Sequence, residues 1–316
     1  MSSKILITGA SGMLGKNLLS KLDLSSNQYL TPSSSELDLT NSYGTAKYFY
    51  ENKVNTILHL GAYVGGIGLN AKYPADLTHK NLKMTVNLFD AIRDHKIEYF
   101  YGMGSVCSFP KDLPIGKDRF YEEDMWGMRS EPTNFGYGEN KKMMITEFEM
   151  HKKQYELKGA NLVLCNMYGK FDSFNLKSNH VVPALIRKFY EAKLNNNTEV
   201  ECFGTGKATR SFLYVDDAIN AIIKMLDIKL DTDEYINIGP KDDISILDLA
   251  NLIAELIDYK GKIVFNGELD GQPKRLLSVE KAKRILDWEA KTNLREGLIK
   301  TIKYYQDNRE EILNKV

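Results

Sequence analysis

The chain of 316 residues has few cysteines, no excess of either charge and no long apolar run. Cys107, Cys165 and Cys202 are odd in number and spaced too widely for a zinc pattern, so we expect neither a disulfide framework nor a metal site. Lysine plus arginine total 42, as do aspartate plus glutamate, so no overall field attracts nucleic acid or an anionic membrane. The expected ligand is therefore a small molecule.

Signals for membrane insertion or export are also missing from the sequence. No apolar run reaches about 18 residues, and the amino-terminal MSSKILITGA enters a strand without a charged leader or an apolar signal core. We therefore expect a cytoplasmic protein that does not contact a membrane. The hydrophobic fraction of 43% is ordinary for a chain that buries a core.

Apolar runs of strand length alternate with helix-period segments in the first half of the chain. The strand-like runs are KILITGA, NTILHLGA, EYFYGMGS and ANLVLCNMYG. They are continuously apolar, and segments such as 75–95 and 136–158 have helical periodicity. This combination is typical of parallel strands covered by helices on both faces. We predict an α/β protein with a Rossmann-type doubly wound parallel sheet and a smaller α/β domain.

The regular alternation ends near residue 167, where the predicted domain boundary lies. A loop, a helix over 180–194 and a short strand over 198–203 follow, and the later helices at 245–257 and 294–305 are amphipathic. We predict a Rossmann domain over 1–167 plus about 212–240. The second domain is predicted over 168–211 and 241–316.

A glycine-rich loop follows the first predicted strand and opens a helix. Its glycines, Gly9, Gly12 and Gly15, recur at every third position. Glycine there lets the backbone turn sharply, approach a pyrophosphate and pack the helix on the sheet, while the helix start offers N–H groups to the anion. The strand-to-helix context predicts a dinucleotide site, with a merely tight turn as the alternative. The residues expected at the cofactor are Gly9, Ser11, Gly12, Met13, Leu14 and Gly15.

The choice between NAD and NADP depends on the second strand, predicted over 28–31. Pro-Ser-Ser-Ser follows it, so no acidic residue at the strand end holds a ribose 2′-OH and no arginine holds a 2′-phosphate. The hydroxyl of Ser33 can donate to a phosphate, which favours NADP(H). Asp38 and Leu39 can approach the adenine, and an ordinary surface position is the alternative for Asp38.

A tyrosine, a lysine and a serine form the predicted reduction site. Tyr137 and Lys141 are four positions apart in a predicted helix, so both lie on one face. An ammonium near a phenol lowers a pKa that is ordinarily about 10, which suits the phenol to exchange a proton with a carbonyl group. We predict that Ser105 hydrogen-bonds the substrate oxygen, Tyr137 supplies the proton and Lys141 holds the nicotinamide ribose. The alternative is an exposed tyrosine and a solvated lysine.

These motifs resemble those of the extended short-chain dehydrogenases/reductases, whose glycine loop has the same spacing. Within that class the chain is most similar, over nearly its whole length, to the GDP-L-fucose synthase family, the 3,5-epimerase-4-reductases of GDP-4-keto-6-deoxymannose. The stretches that carry the resemblance are VGGI from Val64, YPAD from Tyr73, GSVCSFPK from Gly104, EPTN from Glu131, NMYG from Asn166, SNHVVPALIR from Ser178 and GTGKATRSFLYVDD from Gly204.

The resemblance implies an epimerisation pair, Cys107 and His180, beside the reduction site. A C4 ketone acidifies the hydrogens on C3 and C5, and inversion needs a base on one ring face and an acid on the other. Reduction then follows at C4, with the proton supplied by Tyr137. His180 and Lys141 also belong to the implied cofactor contacts. Taken alone, Cys107 could be a buried thiol and His180 a structural histidine.

The resemblance also implies a nucleotide-sugar site in the second domain. Arginines pair with diphosphates through charge-assisted bonds, and an aromatic ring can stack on guanine. The implied substrate contacts are Asn166, Arg187, Phe203, Arg210, Asp270 and Arg275. Phe203 and Arg275 stand where the family has tryptophan and lysine. The implied partners are a GDP-linked sugar and a second copy of the chain, in a homodimer built on the helices near 75–95 and 136–158.

Several segments differ from the family near the expected sugar pocket. The stretch 112–128 is longer than usual, and Gly138-Glu139-Asn140 replaces the usual small apolar residues between Tyr137 and Lys141. A C4 reductase of a GDP-4-keto-6-deoxy-heptose, without epimerisation, is therefore an alternative function. Two more alternatives are a UDP- or dTDP-sugar epimerase or dehydratase of the same fold, and a dinucleotide-sensing protein without turnover.

Overall fold

The computed structural model describes residues 4–26, 28–65, 72–176, 180–267 and 272–314. Its helices are α1 (Met13–Leu19), α2 (Ser42–Asn52), α3 (Pro74–His95), α4 (Phe135–Tyr155), α5 (Val181–Leu194), α6 (Val215–Asp227), α7 (Ile246–Ile257), α8 (Glu280–Leu286), α9 (Leu294–Asp307) and α10 (Arg309–Asn314). Its strands are β1 (Lys4–Thr8), β2 (Tyr29–Leu30), β3 (Val54–His59), β4 (Tyr99–Ser105), β5 (Lys158–Leu164), β6 (Asn166–Tyr168), β7 (Glu199–Cys202), β8 (Thr209–Arg210), β9 (Phe212–Tyr214), β10 (Tyr235–Ile238), β11 (Ile244–Ser245), β12 (Lys262–Phe265) and β13 (Lys274–Arg275).

Six strands form the main sheet, in the spatial order β2-β1-β3-β4-β5-β10. Every neighbouring pair in this sheet is parallel. The central strands are almost fully buried, as their continuous apolar runs predicted. The predicted α/β fold with a Rossmann-type parallel sheet is confirmed.

The order of the strands reverses between β1 and β3, because the chain first adds β2 on one side of β1 and then β3 on the other. In open parallel sheets, ligands bind in the crevice at the carboxyl ends of the strands beside such a reversal. The glycine loop follows β1, and Leu60 and Gly61 follow β3. The topology therefore directs the glycine loop toward the crevice.

One long helix, α3, ends where it was predicted to end, and the other, α4, ends three residues earlier than predicted. The helix predicted over 136–158 is α4, which ends at Tyr155 because Glu156 adopts a left-handed backbone conformation with φ 58°. Lys158 then starts β5. Helix α3 likewise ends before Lys96, whose φ is 52°. Left-handed residues of this kind terminate helices, and nothing in the apolar periodicity marks them.

The remaining strands form three small sheets. β7 pairs in parallel with β12, and β6 pairs in parallel with β9. β8 lies between an antiparallel β11 and a parallel β13. The predicted second strand, 28–31, is reduced to the two residues of β2.

The buried apolar residues separate into two clusters. One surrounds the main sheet, and the other contains residues such as Ile186, Phe189, Ile253 and Tyr305 from α5, α7 and α9. Trp288, in the part of the chain assigned to the second domain, packs in the first cluster. The domain boundaries stay a prediction. Among the described residues, no helix has the length and apolarity needed to cross a membrane.

The long segment 112–128 was expected beside the sugar pocket, but its second half packs against β10. The Glu122 carboxylate accepts a hydrogen bond from the Asn237 amide at 3.0 Å. Trp126 contacts Tyr235, the first residue of β10, and the indole N–H donates to the Tyr235 hydroxyl. Trp126 therefore lies toward the amino end of an edge strand, opposite the crevice.

Candidate active site

The glycine loop is shaped by two close backbone approaches. Gly9 has a left-handed φ of 69°, and a Cβ atom there would lie 2.7 Å from the amide nitrogen of Gly61. A Cβ atom on Gly15 would lie 2.5 Å from the backbone of Ala10. Glycine is therefore required at both positions: Gly9 allows the turn after β1 to approach the loop after β3, and Gly15 allows α1 to pack against its own loop.

Gly12 ends this loop and precedes α1 without a capping side chain. Its amide donates to the Gly9 carbonyl at 3.0 Å, and Ser11 and Gly12 are exposed. Met13 and Leu14 are partly buried against the main core. The loop therefore leaves an open backbone cradle that fits the pyrophosphate of a dinucleotide.

The residues expected near the adenine ribose lie after β2. The Ser33 amide and hydroxyl both donate to the carboxylate of Glu36, at 2.8 and 2.7 Å. Asp38 accepts from the amide and hydroxyl of Thr40, and Leu39 is buried while its carbonyl accepts from Asn87. Glu36 was not considered from the sequence, because it lies beyond the strand end where an acidic residue was sought.

Ser105, Tyr137 and Lys141 meet at the carboxyl end of β4. Ser105 ends that strand, and its side chain lies close enough to the phenol of Tyr137 from α4 to lower the pKa of that phenol. Lys141, one turn further along α4, is 6% exposed, and its Nζ lies 5.8 Å from the centre of the Tyr137 ring. The structure therefore brings the three predicted residues together.

The acid–base properties differ from the sequence-based expectation. Burial, with a contribution from the nearby Cys107, raises the pKa of Tyr137 above its usual range, although the Ser105 side chain opposes this shift. The expected lowering by Lys141 is therefore not found. Burial lowers the pKa of Lys141 to about 8. Both shifts arise because a low-polarity surrounding disfavours the charged form of each group.

His59 lies beneath this pair at the end of β3. It is buried, and its Nδ1 is 2.8 Å from the Thr8 hydroxyl. With Tyr137 and Lys141 it lines a small internal cavity. Burial and the positive charge of Lys141 lower the pKa of His59 to about 3, so the imidazole is neutral. His59 was not identified from the sequence, because a histidine within an apolar strand is expected to be part of the hydrophobic core.

Cys107 lies in a short helical turn, Val106–Ser108, directly after β4. Its amide donates to the Ser105 hydroxyl at 3.2 Å, which ties the thiol-bearing turn to the reduction site. The turn packs against α4 at Gly138, where a Cβ atom would lie 2.3 Å from the Cys107 carbonyl oxygen. This contact explains the glycine that follows Tyr137.

Arg275 is buried beneath Cys107. Its Nη1 lies 3.9 Å from the Cys107 sulfur, and its Nε donates to Gln272 Oε1 at 2.7 Å. Only 7% of its side chain is exposed. The structure therefore directs Arg275 to the thiol, whereas the resemblance implied a contact with the nucleotide.

His180 precedes α5, and Asp172 lies opposite it. The two side chains are 3.9 Å apart between Nδ1 and Oδ1, and Asp172 raises the pKa of His180. Asp172 lies in the loop after β6, which also contacts α1 through Asn17, whose side chain donates to the Lys170 carbonyl at 2.9 Å. Asp172 was not identified from the sequence.

The implied substrate contacts of the second domain are spread over four elements. Asn166 is in β6 and donates to the Ser211 carbonyl at 3.1 Å. Arg187 is in α5 and donates to the Phe174 carbonyl at 2.8 Å. Arg210 is in β8, and Phe203 follows β7 with 55% of its surface exposed. Asp270 lies outside the described residues, as do Gly66 and Ile67 of VGGI and the first two residues of SNHVVPALIR.

Comparison with known proteins assigns the family. The model of the NAD dependent epimerase/dehydratase family matches residues 5–239. This chain belongs to that family. The match runs from the second residue of β1 to the end of β10 and therefore includes Ser105, Tyr137 and Lys141.

Several relatives in this family match almost the full length of the chain. A GDP-L-fucose synthase from Sinorhizobium fredii is 34% identical over 309 residues, covering 96% of each chain. A GDP-L-colitose synthase from Yersinia pseudotuberculosis is 32% identical over 304 residues, covering 96% of this chain and 97% of the relative. A GDP-mannoheptose C4 reductase from Campylobacter jejuni, solved with NADP bound, superposes with a TM-score of 0.82 at 28% identity, covering 96% of this chain and 98% of that one.

Proposed function

We propose that this chain reduces the C4 keto group of a GDP-linked 4-keto-6-deoxy sugar with NADPH, after inverting C3 and C5. The observation that carries the proposal is that Ser105, Tyr137 and Cys107 lie together at the carboxyl end of β4. Reduction and epimerisation act on one sugar ring, so their groups must share one pocket. The names of the synthase relatives support GDP as the nucleotide.

The glycine cradle fits a dinucleotide, and the Campylobacter reductase solved with NADP supports NADP(H). Bound NADPH would supply a hydride to C4. Gly9, Gly12 and Gly15 would hold the pyrophosphate, and Lys141 would hold the nicotinamide ribose. Ser33, Asp38 and Leu39 would approach the adenosine end.

Tyr137 is the proposed acid for the reduction. Its raised pKa keeps the phenol protonated at neutral pH, so the phenol can donate its proton to the oxygen that becomes a hydroxyl. Ser105 would hydrogen-bond the same oxygen while it is still a carbonyl. Because His59 is neutral, Lys141 is the one cation among the described residues that line the cavity.

Cys107 and His180 are the proposed epimerisation pair. Cys107 would remove the proton from C3 or C5, leaving an enolate conjugated with the C4 oxygen. His180, whose pKa Asp172 raises, would return a proton on the opposite face of the ring. The ring gains and loses one proton at each carbon, so no oxidant or reductant is needed in this step.

The second domain, over 168–211 and 241–316, would bind the nucleotide. The exposed Phe203 ring would stack on guanine, and Arg187 and Arg210 would pair with the diphosphate. Asn166 would contact the sugar or a phosphate, and Asp270 completes the proposed set.

We also propose a cytoplasmic homodimer. Helices α3 and α4 pack side by side and leave apolar side chains exposed, namely Leu82, Val86, Met143 and Met150. Light scattering measures the molar mass of the protein in solution, and a monomer mass at micromolar concentration would contradict the homodimer.

A C4 reductase that does not epimerise is the second candidate. The likeness to the Campylobacter GDP-mannoheptose C4 reductase favours it, because that name describes a reduction alone. Ser105, Tyr137 and Lys141 would then act as proposed on a GDP-4-keto-6-deoxy-heptose. Cys107 and His180 would line the pocket without exchanging protons.

Incubation in D₂O separates the two candidates. With GDP-4-keto-6-deoxymannose and NADPH, epimerisation places deuterium at C3 and C5, whereas reduction alone leaves these positions unlabelled. We expect deuterium at both carbons and loss of NADPH absorbance, with C107S as the control that reduces without exchange. No oxidation of NADPH with the hexose or the heptose would contradict both candidates, and tightly bound NAD⁺ in the purified protein would favour an epimerase or dehydratase.

A further inference from the structure

Arg275 is a buried arginine that forms one long ion pair within the described part of the chain. Its Nε donates to a neutral amide, that of Gln272. Its Nη2 pairs with the Glu131 carboxylate at 3.8 Å, which is longer than a hydrogen bond. A buried cation is costly unless an anion compensates it, and a guanidinium does not lose its proton.

Glu131 is also shared among several donors. Its carboxylate accepts from the amide and hydroxyl of Thr133 at 3.1 and 2.6 Å, and from the side chain of Asn134 at 3.1 Å. These bonds hold the carboxylate at the start of the turn before α4. The ion pair between Glu131 and Arg275 is therefore a long one, and it leaves Nη1 of Arg275 directed elsewhere.

The Cys107 sulfur is the described group that Nη1 of Arg275 contacts. The Nη1–Sγ distance of 3.9 Å is that of a long N–H···S contact, and Arg275 and Cys107 are 168 positions apart in the chain. Gln272 fixes the geometry, because its Nε2 donates to the Pro110 carbonyl at 2.8 Å while its Oε1 accepts from Arg275. Pro110 lies three positions after Cys107, so the arginine and the thiol-bearing turn are held as one unit.

We propose that Arg275 is a positioning residue for Cys107: its guanidinium stabilises the thiolate and aims the sulfur into the sugar pocket. The inference rests on the proposed epimerase function, and it replaces the implied role of Arg275 in binding the diphosphate. An opposite charge within about 4–6 Å favours the ionised form of a thiol, and the thiolate is the form that removes a proton. The phenol of Tyr137 is a second titratable group near Cys107, and it is neutral at pH 7.

Alkylation of Cys107 by iodoacetamide tests the contact without any sugar. Cys165 and Cys202 are buried, so peptide mass spectrometry can follow Cys107 separately in the full-length protein. If the substitution lowers the thiolate fraction tenfold at pH 7, R275M should react about threefold more slowly than wild type. The loss is threefold and not tenfold because the thiolate that remains is a stronger nucleophile. At pH 10 the loss of thiolate limits the rate less, so R275M should react faster than wild type, by up to about threefold once the thiol is ionised in both proteins.

This reversal between pH 7 and pH 10 distinguishes an electrostatic role from a structural one. A variant that merely loosens the turn would react faster at both pH values, and that result, or equal rates at both, would overturn the proposal. R295M, which removes an exposed arginine that pairs with Glu255, serves as the control and should react as wild type does. If R275M does not fold, two milder variants can replace it. R275K keeps the charge, and Q272L removes the side chain that links Arg275 to the Pro110 carbonyl. Each should change the alkylation rates in the same direction as R275M, but by less.

Deuterium exchange then separates this inference from the proposed function. We expect R275M to lose most deuterium incorporation at C3 and C5 while it still reduces a substrate that is already epimerised. If wild type incorporates no deuterium but R275M still reverses its alkylation rates, the epimerase proposal fails and the coupling of Arg275 to Cys107 stands. If wild type exchanges deuterium and R275M exchanges it equally fast, the positioning role is wrong.

Discussion

The carboxylate of Asp172 lies 3.9 Å from Nδ1 of His180, and its second oxygen is buried with no hydrogen-bond partner among the described residues. A buried carboxylate of this kind favours a protonated imidazole, since the imidazolium is the nearby group that can compensate it. The pair joins the loop after β6 to the start of α5, so its geometry depends on both segments.

Removal of this carboxylate should lower the pKa of His180. In D172N the amide carries no charge, so the imidazole should lose its proton at lower pH than in wild type. NMR titration of the His180 ring measures its pKa directly. The spectrum of H79Q identifies the signal of the exposed His79, so that it is not mistaken for the signal of His180. An unchanged His180 titration in D172N would contradict the role of Asp172.

The same pair should make the stability of the protein depend on pH. Asp172 raises the pKa of His180 in the folded state. The pair's contribution to the free energy of unfolding is therefore complete below the pKa of the unfolded state, 6.5, and is lost as the pH rises through the pKa of the folded state. D172N should therefore differ most from wild type in urea denaturation near pH 5.5 and least near pH 8.5. The opposite trend would show that Asp172 acts in another way.

Gly15 should be more important for folding than Gly12, although both belong to the cofactor loop. A methyl group on Gly15 would meet the Ala10 backbone at 2.5 Å, whereas on Gly12 it would meet the Gly9 carbonyl oxygen at 3.4 Å. We expect G15A to lose about 1–3 kcal/mol of unfolding free energy without cofactor, and G12A to lose little. Both variants should bind NADPH more weakly. Equal denaturation midpoints for the two variants would contradict this packing account.

Replacement of Lys141 should stabilise the fold while impairing function. Burial lowers its pKa from 10.5 to about 8, so below pH 8 the folded state carries a disfavoured charge. K141M should gain up to about 3 kcal/mol of unfolding free energy at pH 7, and the gain should fade between pH 8 and 10.5. K142M is the matched control, since the Lys142 ammonium already donates to the Met128 carbonyl at 3.0 Å. A K141M protein less stable than wild type at pH 7 would contradict the prediction.

Glu36 should weaken NADPH binding relative to NADH binding. The hydrogen bonds that Glu36 accepts from Ser33 lower its pKa, so the carboxylate is ionised at neutral pH. The Ser33 hydroxyl donates to this carboxylate and is therefore not available to donate to a 2′-phosphate. E36Q should bind NADPH about two- to threefold more tightly at low salt and NADH equally well. Calorimetry measures both, with E51Q on α2 as the control. Tighter binding of both cofactors would point to a general effect of charge.

Local sequence features predicted the main elements of the fold and the reduction site. The continuous apolar runs gave β1, β3, β4 and β5, and the glycine spacing anticipated the close approaches of Gly9 and Gly15. Tyr137 and Lys141 could be paired because the helical repeat alone brings them to one face. The end of α4 before Glu156 was not predicted, because a left-handed residue there leaves no mark in the apolar pattern.

The amino-acid sequence by itself determined which groups are available for chemistry, since its strand and helix periods fix which side chains share a face. Only the tertiary structure decided their charges and partners. It brought Arg275 to Cys107, Asp172 to His180 and His59 beneath Lys141. Each of these pairs joins segments far apart in the chain. Their proximity arises from the order of strands and the packing of loops, and their electrostatics arise from burial, which no local pattern encodes.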